Sequence, residues 1–232
     1  MKNTWAAFYL DFYRNIHIPQ PADAKVKILT PFRNQEVYSI MDHFYHKYYN
    51  DCRPRIMLVG INPGRFGAGI TGVPFTDPIR LKKDCGIDHT FEQKPELSSV
   101  FMYELINAMG GPDAFYRKFI FTSTSPVGYV KSGKNYNYYD DELLKSSQEP
   151  LIQSFLSKQI QLAGVKQIAL SIGKGKNYQY LNRLNKSKKW WITLDHLPHP
   201  RWVLQYQSAT KDHWLQHIKD KLNRALNEVG QV

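Results

Sequence analysis

The sequence predicts an α/β fold: a three-layer α/β/α sandwich on a central, mostly parallel sheet of four strands. Three observations predict it. Four short runs, at 55–61, 118–124, 166–172 and 190–197, are rich in Ile, Val, Leu, Phe or Trp, and each runs into Gly, Pro, Ser or His. Stripes of apolar residues at helical spacing lie before, between and after them. Strands that alternate with helices need crossover connections, and crossovers set the strands parallel with helices on both faces.

In chain order, Trp5, Phe8, Tyr9 and Phe12 mark a first helix, and Val37, Ile40, Met41 and Phe44 a second. Residues 1–50 therefore read as an amino-terminal helical extension, packed on one domain that spans 1–232. The strand at 55–61 runs into Asn62-Pro63-Gly64 and a glycine-rich loop reaching Gly72, followed by Val73-Pro74-Phe75. Glycine in such a loop lets backbone amides approach a bound group unshielded. The strand at 118–124 ends in hydroxyls, Thr122 to Ser125, before Pro126. Residues 131–141 read as a polar stretch with Tyr136, Tyr138 and Tyr139 interleaved. Leu151, Phe155 and Ile160 form the next helical stripe, with Pro150 at its expected start. The strand at 166–172 leads into 173–189, where Lys174, Lys176, Arg183, Lys186, Lys188 and Lys189 occur without an acidic residue. That run fits a phosphate grip or simply a solvated helix. The last strand, 190–197, delivers Asp195, His196 and His199, and the stripe Trp214, Ile218, Leu222, Leu226 closes the fold.

Charge narrows the partner. With 31 Lys+Arg against 20 Asp+Glu the net charge is +11, which favours a polyanion, nucleic acid first, over a merely soluble basic surface. The two cysteines, Cys52 and Cys85, have no zinc-site spacing and are too few for a disulfide framework, so a reducing cytoplasm is expected. Asp11 and Arg14 interrupt any signal-like core, and no apolar run reaches spanning length. The expectation is a monomeric intracellular protein with no membrane partner, no metal and no cofactor.

Three strand ends then offer polar side chains to one crevice: Asn62, the Thr122–Ser125 hydroxyls, and the Asp195–His199 segment. A Ser-His-Asp hydrolase lacks its Gly-x-Ser-x-Gly elbow, and a phosphate-binding NTPase lacks its Gly-Lys-Ser/Thr ending. What remains is an amide, a hydroxyl cluster, an imidazole in a proline-stiffened turn and an aromatic ring on a glycine loop.

Asn-Pro-Gly-x-Phe-Gly followed by Thr-Gly-Val-Pro-Phe, here Asn62 to Gly67 and Thr71 to Phe75, resembles the first motif of the single-strand-selective monofunctional uracil-DNA glycosylases, in the uracil-DNA glycosylase superfamily. Ser125-Pro126 resembles the family's strand-end base-recognition motif, and His199-Pro200 the start of its DNA-inserting loop. The resemblance implies a uracil-DNA glycosylase-like fold and a metal-free DNA glycosylase of base excision repair, acting on a flipped deaminated base. It implies that Asn62 positions the attacking water, Phe75 stacks on the base, and His199 bonds the pyrimidine oxygen that gains charge. Gly64, Phe66 and Ser123 become base-binding residues, and Arg201, Trp202 and Leu204 DNA-binding ones, with Trp202 and Leu204 bulky enough to act as a wedge.

Two positions depart from the family. Ser123 stands where an asparagine usually reads the base, and Arg201-Trp202-Val203-Leu204 replaces the usual Ser-Pro-Arg. The departures leave open a glycosylase for another deaminated or oxidised base, and a DNA-binding relative with weak or no catalysis. Singly, Asn62 also fits an Asx turn, Phe75 a core position and His199 a loop histidine, and His196 competes with His199 for the catalytic role.

Overall fold

The computed structural model describes residues 4–163 and 168–230. In chain order the elements are α1 (Trp5–Asn15), β1 (Val26–Leu29), α2 (Gln35–Tyr49), β2 (Ile56–Gly60), α3 (Ala68–Thr71), α4 (Pro78–Lys83), α5 (Leu97–Ala108), α6 (Gly111–Lys118), β3 (Phe119–Ser123), β4 (Gly128–Lys131), β5 (Lys134–Tyr136), α7 (Glu142–Ala163), β6 (Ile168–Ile172), α8 (Lys176–Lys188), β7 (Thr193–Leu197), α9 (Pro200–Tyr206) and α10 (Lys211–Glu228). The expected four strands form one parallel sheet in the order β3-β2-β6-β7. Every residue of β2, β3 and β6 is buried. Because successive residues of a strand face opposite sides, full burial means that both faces of the sheet are covered, as their unbroken apolar runs require. The read start of the third strand, at Lys166 and Gln167, lies outside the described residues.

The amino-terminal helices share that core. The Trp5 indole donates to the Arg53 carbonyl at 2.9 Å, Tyr9 stacks on Tyr45 with ring centroids 4.9 Å apart, and its hydroxyl donates to Gln159 at 2.5 Å. Helix starts follow local chemistry: Asn34 caps α2 through the amides of Glu36 and Val37, and Asp77 caps α4 with Pro78 in its first turn.

Two features differ from the sequence expectation. Pro150 lies inside α7, not at its start. The helix begins about two turns earlier, because the Asp141 carboxylate accepts the Leu144 N–H at 2.8 Å and caps it there. The stretch at 131–141 begins as a hairpin: β4 and β5 pair antiparallel, and β4 also pairs with β1, forming a second, three-stranded sheet. Ser132 and Gly133, at φ 50° and 71°, make the two-residue turn whose twist suits a hairpin.

Candidate active site

The strand order reverses between β2 and β6, so the loops leaving their carboxyl ends diverge and open a crevice. The crevice holds a cavity of about 640 Å³, within the range of ligand sites. Asn62, Gly64, Phe66, Phe75, Ser123, His199, Arg201 and Trp202 all line it, although they are spread over 140 positions of the chain.

Asn62 follows β2 directly and is oriented by the second sheet. Its amide nitrogen donates to the Tyr136 carbonyl at 3.3 Å and its oxygen accepts the Tyr138 N–H at 3.3 Å. One lone pair of that oxygen is left over. The hairpin also holds the rest of the loop: Asn135 accepts the Arg65 N–H at 3.0 Å, and the Arg65 guanidinium donates to the Gly133 carbonyl. Asn135 itself lines the cavity.

Phe75 is set by a tight local structure. Its φ of 53° lies in the left-handed region, which few side chains occupy without support from their surroundings. Support comes from Thr71, whose hydroxyl donates to the Thr76 carbonyl at 2.7 Å and accepts the Val73 N–H at 3.1 Å. The ring lies 5.0 Å from the Phe121 ring, over Gly60, where a Cβ would sit 3.0 Å from the Phe75 ring carbons. Glycine at the end of β2 is therefore what lets the ring reach the cavity.

His199 caps α9. Its Nδ1 accepts the Arg201 N–H at 3.2 Å, so the ring's proton is on Nε2. Burial, reinforced by the Arg201 charge, pushes its pKa down to about 4, and the imidazole is neutral at physiological pH. A neutral ring with Nε2–H is a hydrogen-bond donor aimed by its own cap. His196, the competing histidine, does not line this cavity; its ring lies against Tyr178 at 5.0 Å, with Nδ1 3.1 Å from the Asp195 carboxylate.

The Ser123 hydroxyl is buried and donates to the Ser125 carbonyl at 2.6 Å, so toward a ligand it can only accept. The Ser125 hydroxyl is within 3.0 Å of the Val127 carbonyl and 2.8 Å of the Tyr129 hydroxyl. Neither serine is bonded to a histidine among the described residues, in keeping with the missing nucleophile elbow. No cluster of His, Cys, Asp or Glu among the described residues has the makings of a metal site, and no helix among them is long and apolar enough to cross a membrane.

Leu204 is not brought to the cavity with the other candidate residues. It is half-buried against the core and does not line the cavity, because on α9 it points away from Trp202 and off the face that carries Trp202, Gln205 and Tyr206. The exposed aromatics on this helix are Trp202 and Tyr206, both at the cavity, the latter 72% exposed.

Glu96 was not singled out from sequence. It caps the start of α5 with its N–H on the Asp77 carboxylate at 2.8 Å, and its own carboxylate fills the space beside Gly64 and Gly67. Burial, then the Asp77 charge, raise its pKa to about 7, with Arg201 opposing. A single glutamate after Lys94-Pro95 carries no motif; only the fold brings it to the loop. The Ser132-Gly133 turn did carry a signal, a two-residue turn pair between Tyr129-Val130 and Tyr136.

Comparison with known proteins accords with this geometry. The model of the uracil DNA glycosylase superfamily matches residues 46–223. The crystal structure of wild-type Pedobacter heparinus SMUG2 is similar with a TM-score of 0.90 and 36% sequence identity, covering 97% of this chain and 99% of that one. A comparison with curated proteins finds no match.

Proposed function

Because this chain belongs to the uracil DNA glycosylase superfamily, and within it to the SMUG-like proteins, hydrolases of N-glycosyl bonds in DNA, we propose that it is a monofunctional glycosylase excising uracil from DNA. The observation that carries the reading is the meeting of Asn62, Phe75 and His199 at one cavity, with the imidazole proton already on Nε2.

In this reading the damaged nucleotide turns out of the stack, at a cost that is smallest in mismatches and single strands. The base lies against the Phe75 ring, and Ser123 Oγ accepts the uracil N3–H. As the C1′–N1 bond breaks, its electron pair stays on the base and negative charge grows on the pyrimidine oxygen facing His199 Nε2–H. A donor aimed at charge that exists only in the transition state contributes on the order of 3 kcal/mol to catalysis. The spare lone pair of Asn62 holds a water beside C1′. A neutral amide is too weak a base to ionise it early, so water adds after the bond is largely broken. The water oxygen bonds to C1′, its proton goes to solvent or to the departing base, and the products are free uracil and an abasic sugar.

Strand cleavage by a covalent route needs an amine nucleophile at the sugar. No lysine lines this cavity among the described residues, which supports a monofunctional enzyme. Arg201 and Trp202 sit at the rim, where a cation meets phosphate and a bulky ring fills the space that the extruded base leaves. The net charge of +11 supports DNA as the partner.

A second reading keeps the reaction and changes the base. Ser123 offers one acceptor and no donor, which suits any base with an N–H at that edge, xanthine included. The deciding experiment is a panel of oligonucleotides carrying uracil, 5-hydroxymethyluracil, xanthine or hypoxanthine, with alkali cleavage of abasic products. Uracil excision from single-stranded or U:G substrate at stoichiometric enzyme is expected. No product from any uracil substrate contradicts the proposal, and full activity of an Asn62→Ala, His199→Ala double variant contradicts the site.

A further inference from the structure

A second cavity, of about 600 Å³, adjoins the first and shares Ile61, His199 and Trp202 with it as a common wall. It lies over the carboxyl end of β6, and the reaction described above makes no use of it. Ile61 and Ile172 form its apolar base, and Tyr139, Trp202 and Trp214 supply rings, the two tryptophans meeting edge to face at 5.1 Å. Lys174 and Lys176 stand exposed at its edge on the loop that starts α8. Lys221, on its far side, is held by the Asp195 carboxylate at 2.5 Å and the His196 carbonyl at 2.7 Å. Lys174 and Lys176 have no acidic partner among the described residues, and no acidic side chain lines the cavity.

Rings below and unpaired cations at the edge are what a nucleotide of a single strand requires: a face for the base and a charge for its phosphate. The shared wall fixes which nucleotide. An occupant of the second cavity is separated from the extruded base by one imidazole and one indole, so the two belong to neighbouring positions on one strand. Resting on the glycosylase reading, we propose that the second cavity receives the unpaired base adjoining the excised one, with Lys174 and Lys176 on the intervening backbone. The protein then reads two nucleotides outside the stack. A neighbour held in a duplex must leave its partner to enter, so substrates with an unpaired neighbour bind more tightly.

The test is a binding cycle on the full chain. Single-stranded oligonucleotides carrying non-cleavable 2′-fluoro-2′-deoxyuridine are compared, by fluorescence anisotropy, with versions in which the base on the 5′ or the 3′ side is replaced by an abasic analogue. Losing the neighbouring base on one flank is expected to raise Kd about tenfold in the wild type, in line with aromatic stacking on a single base. In Trp214→Ala the same loss is expected to matter less than twofold. An equal penalty in both proteins, or no penalty on either flank, overturns the inference. Should Trp214→Ala unfold, Lys174→Ala/Lys176→Ala, at two exposed positions, is expected to weaken single-strand binding and flatten its salt dependence; unchanged affinity and slope overturn it. Excision measured in parallel separates the two readings. Uracil removal without coupling sinks only the second cavity, whereas coupling without removal of any base sinks the glycosylase reading.

Discussion

The two ends of β2 use polar side chains in opposite ways. At the amino end, Arg55 is fully buried, and its guanidinium donates to both Asp51 oxygens at 2.7 and 2.9 Å, to the Tyr116 carbonyl at 2.7 Å and to the Tyr48 carbonyl at 3.2 Å, with the Tyr49 ring beneath it. At the carboxyl end, Asn62 is held by the backbone of Tyr136, at the end of the hairpin, and of Tyr138 just beyond it, and keeps one lone pair unused. The same strand is thus anchored by a group with nothing left to offer and ends in one with something left. A buried charge whose every partner is protein serves the fold; an oriented amide with spare capacity serves a ligand.

The largest effect that can break this comparison is at the anchored end. Arg55→Met leaves Asp51 and two carbonyls without their donor and is expected to cost about 3–5 kcal/mol of stability, seen as a loss of roughly 10 °C in melting temperature, with excision per folded molecule unchanged. At the other end, His199→Ala is expected to lower single-turnover excision by about 10²–10³-fold, and Asn62→Ala also to depress it, both with melting within a few degrees of wild type. If the arginine variant loses chemistry, or the site variants lose the fold, the division between the ends is wrong.

Glu96 sharpens the comparison through pH. Its carboxyl is raised to about 7, so it is protonated below neutrality and charged above. Charged, it adds a negative side chain to the cavity in which the leaving base becomes anionic. The kcat/KM is therefore expected to fall as pH rises through about 7, and Glu96→Gln to flatten that limb. The sign for stability agrees: a carboxyl raised on folding is costly where the unfolded chain is ionised, so Glu96→Gln is expected to stabilise at pH 8, and to stop doing so below the ordinary glutamate range. The smallest effect is expected at Asn135→Ala. Losing the acceptor for the Arg65 N–H loosens the loop by about 1 kcal/mol, a several-fold drop in excision measured at saturating enzyme.

The sequence was most legible where one physical cause acted alone. The buried strands announced themselves because burial on both faces demands unbroken apolar runs, and the carboxyl ends of those strands led to Asn62, Ser123 and His199. Phe75 was legible through its motif but not its left-handed backbone, which the Thr71 hydroxyl supports, nor the seat of its ring over Gly60 and against Phe121. The hairpin escaped because β4 and β5 are short and β5 is largely exposed, leaving only the Ser-Gly pair as a signal. Pro150 misled because a capping aspartate nine residues earlier outweighed it. Trp202 and Leu204 were alike in bulk and apolar character, and only the helical turn shows that Trp202, not Leu204, lines the crevice. Glu96 was invisible because its environment is assembled from three separate segments.

The account rests on His199 meeting the base as a neutral donor through Nε2. Nitrogen-15 spectra of the imidazole at pH 6 to 7, with and without abasic DNA and free uracil, test this directly. The prediction is a neutral ring protonated on Nε2, whose Nε2–H resonance shifts when base and abasic DNA bind together. A ring protonated on Nδ1, a cationic ring at pH 7, or an Nε2–H signal indifferent to the base contradicts the account.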